Sequence, residues 1–387
     1  MHKIGPQQPS IPLSLYIHIP WCTKKCPYCD FNSYASPQEI PEKAYVQRLL
    51  SDLRQDLSLA QGRSVQSIFF GGGTPSLFSA GSIEAILEGV HAQLSIEPLA
   101  EITLEANPGT VSAQQFKAYK QAGINRLSLG AQSFQDKSLL ALGRIHTAAQ
   151  TQEAIQAILN VDFRSFNIDL MYGLPEQSIQ DACFDLQTAL AFNPPHISWY
   201  HLTLEPNTVF YKQKPAGLPS DDHVFEMQCA GTDLLQAQGL QAYEVSAFSK
   251  RGHQSAHNLN YWHFGDYLGI GAGAHAKITD LDSKKITRYR KTRYPKDYLN
   301  LLKNPLADST IIPQEELALE FMLNALRHHQ GFSLAEFEQR TFLTRASIAK
   351  PLSKAIDSGL LLLEDNWITP TDLGNRFLND LTALFLD

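Results

Sequence analysis

The chain has 387 residues, too many for one small core, which predicts two or three domains. Its 43% apolar and 18% charged residues are typical of a soluble globular protein. The formal net charge of −7 means that no overall basic field attracts nucleic acid. The sequence contains no run of 18 apolar residues, so no membrane-spanning helix is expected.

The start of the sequence shows no apolar run before a small-residue cleavage site, so no signal peptide is expected. Without export, the protein is expected in the reducing cytoplasm, where disulfides are not favoured. Three of the five cysteines, Cys22, Cys26 and Cys29, lie within eight residues. Such clustering indicates a metal site more than a disulfide framework.

Short apolar runs alternate with longer helical patterns through the first half of the chain. This alternation predicts an α/β fold with a parallel sheet curved into an incomplete (β/α)6 barrel. The predicted strands are Leu15–Ile19, Ser67–Phe70, Glu101–Glu105, Arg126–Leu129, Phe166–Leu170 and Ile197–Leu202. The predicted helices between them are Glu42–Ala60, Ser82–Leu94, Ala113–Ala122, Ala148–Asn160 and Ile179–Phe192.

Residues that can carry chemistry follow the C-terminal ends of these strands, where barrels of this kind place their sites. The three-cysteine loop follows the first strand, Gly71–Pro75 follows the second and Glu105–Pro108 follows the third. Gln132 follows the fourth strand and Asp169 closes the fifth. Agreement across five strands predicts one site at this end of the barrel.

The second half of the chain changes character twice. Proline and glycine break the pattern at Lys212–Ser220, before a predicted helix over Asp222–Gln238 and an aromatic, glycine-rich region over Tyr243–Ala276. From about Pro313 the order of elements resembles a winged-helix module, with helices over Leu317–Ala325, Leu334–Gln339 and Ile348–Ser358 and a hairpin over Leu360–Ile368. The expected units are a barrel core (1–212), an extension (213–310) and a C-terminal α+β module (311–387).

The cysteine spacing, C-x3-C-x2-C, allows three thiolates to bind three irons of a [4Fe–4S] cube and leaves the fourth iron open to a small molecule. Spacing alone leaves two alternatives. One is a structural zinc site with a distant fourth ligand such as His18, and the other is a set of unrelated core cysteines. Cys183 and Cys229 lie in predicted helices and are interpreted as ordinary core residues.

A resemblance to the radical S-adenosylmethionine superfamily rests on the cysteine loop and the following GGGTP segment. More narrowly, the chain resembles the oxygen-independent coproporphyrinogen III oxidase-like family in the motifs YIHIPWC, CPYCDF, GGGTPS, EANPGT, GAQSF, GRIHT, NIDLMYGLP and HNLNYW. The resemblance is close over about residues 13–276 and loose beyond them. It implies that S-adenosylmethionine chelates the open iron and that an electron from the cluster cleaves its sulfonium, which is chemistry that belongs to the cofactor.

The same resemblance implies the residues of the S-adenosylmethionine pocket. Gly72, Gly73 and Thr74 are expected to hold the methionine part, and Glu105 is expected to pair with an amine or a ribose hydroxyl. Aromatic, amide, cationic and acidic groups from successive strand ends suit such a ligand. The other positions that match the family's contacts are Tyr16, Tyr28, Gln132, Arg144 and Asp169.

Two departures from the oxidases imply the HemW haem chaperone branch instead. The oxidases carry a further cysteine two positions after the third cluster ligand, where this chain has Phe31. They also carry a longer segment ahead of the cluster loop, whereas Cys22 here is the twenty-second residue. Coproporphyrinogen oxidase activity is therefore not expected, and no residue is predicted to be catalytic.

The expected haem site lies in HNLNYW, where His257 is the candidate axial ligand and Tyr261 and Trp262 could cover the porphyrin. One exposed ligand is expected, because a transfer protein must also release its haem. His263 and His275 are competing ligands. The basic segment Lys284–Arg293 could contact porphyrin propionates, although a solvated hairpin is the favoured interpretation.

The leading hypothesis is a cytoplasmic haem chaperone that binds a [4Fe–4S] cluster, S-adenosylmethionine and haem. Its expected partners are haem-accepting proteins and a reductase or other electron donor, with no nucleic acid. Two alternatives stay open. One is a true enzyme, either the oxidase or another radical porphyrin or methyl-transfer enzyme, and the other is a non-catalytic metal-binding adaptor.

Overall fold

Twelve strands share one sheet in the computed structural model, which describes residues 11–386 of the chain. A three-stranded sheet and a two-stranded pair complete the β-structure of this part. The strands are β1 (Leu13–Ile19), β2 (Trp21–Cys22), β3 (Tyr34–Ala35), β4 (Val65–Gly72), β5 (Ile96–Ala106), β6 (Arg126–Gln132), β7 (Ser165–Tyr172), β8 (His196–His201), β9 (Gln241–Glu244), β10 (Ala247–Ser249), β11 (Asp266–Ile270), β12 (His275–Asp280), β13 (Lys285–Lys291), β14 (Leu306–Ile311), β15 (Phe332–Ser333), β16 (Leu361–Glu364) and β17 (Trp367–Pro370).

Helices cover the outside of the sheet and form much of the C-terminal part. They are α1 (Glu42–Asp56), α2 (Ala80–His91), α3 (Ala113–Gln121), α4 (Asp136–Ala141), α5 (Ala148–Val161), α6 (Ile179–Leu190), α7 (Val209–Lys212), α8 (Asp221–Ala237), α9 (Ala256–Trp262), α10 (Pro295–Tyr298), α11 (Leu317–Ala325), α12 (Leu334–Thr341), α13 (Ala349–Asp357), α14 (Asp372–Arg376) and α15 (Leu378–Ala383). Short 3-10 turns lie at Leu57–Ala60, Pro75–Leu77 and Arg345–Ile348.

The six predicted strands form the parallel centre of the large sheet, in the order β1-β4-β5-β6-β7-β8. Their near-continuous burial is the pattern of a sheet covered on both faces. Side chains from each of these strands line one cavity, from Tyr16 on β1 to Ser198 on β8, so the sheet curves around it. The predicted α/β partial barrel is confirmed.

Hydroxyl side chains set the start of the crossover helices, which fixes where each strand end meets its loop. Ser79, Ser112, Thr147 and Ser178 each accept a hydrogen bond from the backbone N–H three residues later. In the last three, the third helical residue also bonds back to the cap, which completes a capping box.

The predicted extension adds strands to both edges of the barrel sheet. β10 pairs antiparallel with β8, and β9 follows it at that edge. At the other edge β11 pairs with β1 as a seventh parallel strand, followed by the antiparallel strands β12, β13 and β14. The barrel wall therefore continues past β1 with the side chains of β11–β14. The sequence periodicity did not predict that these strands join the barrel sheet.

The basic segment corrects the interpretation as a solvated hairpin. β13 is an inner strand between β12 and β14, and its last residue, Lys291, is only 2% exposed. The Lys291 ammonium lies 2.6 Å from carboxylate oxygens of both Asp52 and Asp56 on α1. Acidic partners on a distant helix therefore allow this end of the strand to be buried, and no local pattern could show that.

The C-terminal module has the predicted order of helices and hairpin. β16 and β17 pair antiparallel, and β15 adds to β17. The hydrophobic core of the module also includes Phe264 and Ile286 from the extension, so the module packs on the outer side of the added strands. Within residues 11–386, no helix is both long and apolar enough to cross a bilayer.

Candidate functional site

The three clustered cysteines line a single cavity of about 430 Å³ at the C-terminal ends of the parallel strands. Cys22 ends the short strand β2, and the N–H of Cys29 donates to the carbonyl of Cys26 at 3.2 Å, which folds the loop into a tight turn. None of the three is in a disulfide. The turn brings the three thiols to one wall, as a shared ligand requires.

Polar groups around the thiols are suited to sulfur that carries negative charge. A terminal nitrogen of Arg144 lies 3.6 Å from the sulfur of Cys26, and the Ser33 hydroxyl lies 3.6 Å from the sulfur of Cys29. Burial raises the pKa of the Cys22 and Cys29 thiols. A bound metal would therefore have to stabilise the thiolate forms. Arg144 can assist, because hydrogen bonds to sulfur also favour its charged form.

The zinc alternative loses its fourth ligand. Both ring nitrogens of His18 are engaged, one with the Tyr16 hydroxyl at 3.0 Å and the other with the Asn32 carbonyl at 2.9 Å. Nowhere in the described chain do three histidine, cysteine, aspartate or glutamate side chains surround one point closely enough for a single ion. The described residues therefore give no three-ligand site for a single ion at these thiols.

The glycine segment after β4 makes close contact with the cysteine loop. A Cβ on Gly73 would lie 2.5 Å from the Trp21 carbonyl oxygen, and Gly72 has φ = +114°. The N–H group of Gly72 donates to the Glu105 carboxylate at 3.2 Å. The N–H groups of Gly73 and Thr74 donate to the carbonyls of Ile19 and Trp21, respectively, each at 2.7 Å. The glycines are thus required by the fold itself, and the N–H groups of all three residues are occupied.

Two buried carboxyl groups lie next to this segment. Glu105 lines both the cysteine cavity and a larger neighbouring cavity, and burial raises its pKa to about 8, with a further contribution from Asp169 that the Gly72 N–H opposes. Burial also raises the pKa of Asp169, against hydrogen bonds from Ser128 at 3.0 Å and Asn167 at 2.7 Å. Burial therefore favours the neutral form of both carboxyl groups, and a cation bound beside them would favour the ionised form.

Gln132 and Tyr28 complete the cysteine cavity. Gln132 has φ = +71°, an unusual backbone conformation for glutamine, beside a register irregularity between β6 and β7. Its side-chain oxygen accepts a hydrogen bond from the Tyr200 hydroxyl at 2.6 Å. Burial raises the pKa of Tyr28, which therefore stays neutral. Backbone strain of this kind is concentrated at functional sites.

Sequence reasoning did not assign a role to several residues of this cavity, among them Asn107 and Tyr200. Asn107 donates to the Thr74 hydroxyl at 2.9 Å and accepts from Arg144 at 2.8 Å, so it links Thr74 to the arginine that contacts Cys26. Tyr200, at the end of β8, orients Gln132. Asn107 lies within the EANPGT motif, so its position at a strand end was the available signal.

The larger cavity, of about 690 Å³, lies inside the barrel beside the cysteine cavity. It contains Tyr16 and His257, whereas eight of the other predicted pocket residues and all three cysteines line the cysteine cavity. The two cavities share Phe31, Gly72, Ser128, Ser198, Glu105 and Asp169.

The expectation that His257 is exposed is wrong. His257 is 2% exposed, and its ring nitrogens lie 2.9 Å from the Ser67 hydroxyl and 3.0 Å from the Tyr261 hydroxyl. Tyr261 lines the larger cavity and Trp262 lines the cysteine cavity, so they do not cover one porphyrin face together. Buried polar groups need partners, and here they engage the histidine completely.

The HNLNYW motif instead anchors α9 to the barrel. The backbone N–H of His257 donates to Glu101 at 3.2 Å, and the Asn260 amide donates to the Asp266 carbonyl at 2.8 Å. These contacts hold the helix against β5 and β11. Of the competing histidines, His263 bonds to Glu336 of the C-terminal module at 2.8 Å, and His275 is exposed on the wall of the larger cavity.

Two known protein families match parts of the chain. Residues 16–186 match the Radical SAM superfamily, and residues 312–377 match the HemN C-terminal domain. The chain is 48% identical to the heme chaperone HemW of Escherichia coli over 97% of this chain and 98% of that protein. It is also 48% identical to HemW of Haemophilus influenzae and 32% identical to HemW of Bacillus subtilis, over 97% and 96% of this chain.

Among solved structures, coproporphyrinogen III oxidase (HemN) from Escherichia coli superposes with a TM-score of 0.82. The match covers 97% of this chain and 90% of that one at 24% sequence identity, which supports the shared fold alone.

Proposed function

The chain belongs to the HemW haem chaperone family of the radical SAM superfamily, and on that premise we propose that it carries haem to acceptor proteins. The observation that carries the proposal is the 48% identity to HemW over nearly the whole of both chains. Phe31, in place of the further cysteine of the oxidases, supports the chaperone over the enzyme.

A [4Fe–4S] cluster fits the thiol wall of the smaller cavity, and Cys22, Cys26 and Cys29 are its proposed ligands. When bound, the cluster supplies one electron and an iron without a protein ligand. Arg144 contributes positive charge beside Cys26. Tyr28 and Tyr200 also line this cavity, and both are half-buried.

S-adenosylmethionine is the proposed ligand of the open iron. Because the N–H groups of Gly72, Gly73 and Thr74 are occupied, the backbone there can offer a ligand only carbonyl oxygens, which suit the N–H donors of an amino group. Glu105 and Asp169 supply negative charge once they are deprotonated, and Arg144 can pair with a carboxylate. The remaining proposed contacts are Tyr28, Gln132 and, from the neighbouring cavity, Tyr16.

The affinity for S-adenosylmethionine should rise with pH. Below pH 8 the carboxyl of Glu105 is mainly protonated in the free protein, so a cation must displace that proton before it can pair with the carboxylate. Raising the pH from 6.5 to 8 should strengthen binding by roughly tenfold. Glu105→Gln should weaken binding and remove this part of the pH dependence, while iron content stays unchanged. Calorimetric titration of both proteins tests this, and an identical pH dependence in both would exclude Glu105 from the site.

Haem is the cargo, haem-accepting proteins are the proposed partners, and a reductase is the proposed electron donor. The cytoplasm is the proposed compartment. The function is tested by loading the reconstituted protein with haemin and mixing it with a haem-free acceptor. We expect the acceptor's own Soret spectrum to appear and a coproporphyrinogen III assay with S-adenosylmethionine and a reductant to stay negative.

The two outcomes separate the proposal from its alternatives. Formation of protoporphyrinogen IX would make the chain an oxidase despite Phe31. No haem binding and no turnover, with the cluster intact, would leave the metal-binding adaptor.

A further inference from the structure

Four histidines line the larger cavity, and they differ in whether a ring nitrogen is free. Both nitrogens of His18, His196 and His257 lie within hydrogen-bond distance of protein atoms. His275 is exposed, and neither of its nitrogens has a hydrogen-bond partner among residues 11–386. A metal ligand needs an unengaged nitrogen lone pair, which of these four side chains only His275 offers.

His275 is exposed at the mouth of the cavity where β11 ends, whereas α9 is bonded to Ser67 and Asp266 near the beginnings of β4 and β11. His275 is the first residue of β12, directly after the turn that follows β11, and Arg290 of β13 is its register partner. Cross-strand partners project from the same face of an antiparallel pair, so the imidazole and the guanidinium are neighbours. Partial desolvation against the cavity wall and the charges of Arg290 and Arg288 lower the pKa of His275, which favours the neutral imidazole.

Positive charge predominates at this rim. The Nε atom of Arg293 donates to the Asn32 side chain at 2.9 Å, and no carboxylate of residues 11–386 forms an ion pair with this guanidinium. Arg290 is exposed and makes a single ion pair of 3.4 Å with Asp308, a weak contact. Asp30 is the exposed carboxylate among the lining residues. The rim can therefore attract an anion.

An apolar surface adjoins the two arginines. Phe31 lines both cavities and is 59% exposed. Leaving so much of an aromatic ring in water is unfavourable unless a ligand or partner covers it. It lies one residue before Asn32, the residue that orients Arg293. A free imidazole, an exposed aromatic ring and two guanidinium groups thus surround one opening into a cavity of ligand size.

We propose that haem binds at this opening, with His275 as the axial ligand of the iron, Phe31 against the porphyrin ring and Arg290 and Arg293 facing the propionates. The proposal rests on the proposed haem chaperone function and names where its cargo binds. An exposed ligand at the mouth of a cavity also allows release on contact with an acceptor, which the buried His257 would not. Phe31, at the position where the oxidases have a cysteine, would then contact the haem.

The test titrates the cluster-loaded protein with haemin and follows the Soret band. His275→Ala should weaken binding at least tenfold or shift the band, and free imidazole should restore the wild-type spectrum. His91→Ala, an exposed histidine at the end of α2, is the matched control and should bind as wild type does. Arg290→Gln should weaken haemin binding by about two- to fivefold and leave binding of the haemin dimethyl ester unchanged.

The outcomes separate this proposal from the function on which it rests. If wild-type protein does not bind haemin, the chaperone function itself fails. If wild-type protein binds and transfers haem but His275→Ala has the same affinity and the same Soret band, the function stands and His275 is not the ligand. Loss of the band in His257→Gln alone, with circular dichroism unchanged, would return the site to the HNLNYW motif.

Discussion

Cys26→Ala should abolish cluster assembly. A cube with one open iron has only three protein ligands, so removing one leaves two thiolates, too few to hold it in the exposed loop. After anaerobic reconstitution, iron should fall from about four atoms per chain to nearly none, and the absorption at about 400 nm should disappear. Arg144 should then lose the thiolate it faces at 3.6 Å, and S-adenosylmethionine should no longer perturb the spectrum.

Cys183→Ala is the matched control for the loss of a thiol. Cys183 lies in α6, on the outside of the barrel sheet, and is not among the residues that line the cysteine cavity. This variant should keep its iron and its spectrum. Retention of a full cluster in Cys26→Ala, or zinc in place of iron in the wild type, would contradict the proposed ligands.

The barrel strands could be predicted because each leaves a local signal. Buried parallel strands are continuous apolar runs, and serine or threonine caps mark the helices between them. Since strand ends gather at one edge, the cysteine loop, the glycine segment and Glu105 could be grouped before any coordinates were known. The predicted bounds were short by a few residues, as for β5, which begins at Ile96.

Long-range pairing could not be predicted in this way. Nothing near Lys291 shows that Asp52 lies against it, because the two are 239 residues apart in the chain. The parallel pairing of β11 with β1 likewise depends on Asp266 and its cationic partners Arg63 and Lys277. Distant partners of opposite charge allow charged segments to be buried. The sequence of such a segment still has the pattern of an exposed strand.

His257 shows how the same limit affects a site. Histidine beside tyrosine and tryptophan predicts an aromatic ligand pocket, whereas the structure uses these side chains to attach a helix. The deciding facts are two hydroxyls, Ser67 from β4 and Tyr261 one turn further along α9, that engage both nitrogens. His275 had no distinguishing neighbours in the sequence, because its free nitrogens and its arginine partner are properties of the folded sheet.

Lys291→Met should destabilise the protein by about 3–5 kcal/mol, the cost of leaving a buried charge without its partner. The methionine would fill most of the space of the lysine, but Asp52, with no exposed surface, would lose its ion pair at 2.6 Å. Hydrogen bonds to Asp52 from the Tyr298 hydroxyl at 2.6 Å and the Gly271 N–H at 3.3 Å would remain and could not neutralise it. Urea unfolding followed by circular dichroism measures the loss.

Two further variants make this result specific to burial. Lys303→Met removes an ion pair of 2.8 Å with Asp297 that is about half exposed, so it should cost less than about 1 kcal/mol. Adding Asp52→Asn to Lys291→Met removes the uncompensated charge and should recover part of the loss. Equal effects of the two lysine variants would show that water reaches Asp52. Because Lys291 lies next to Arg290 on β13, it would also mean that this end of the strand, and the cavity mouth that it shapes, is looser than its contacts indicate.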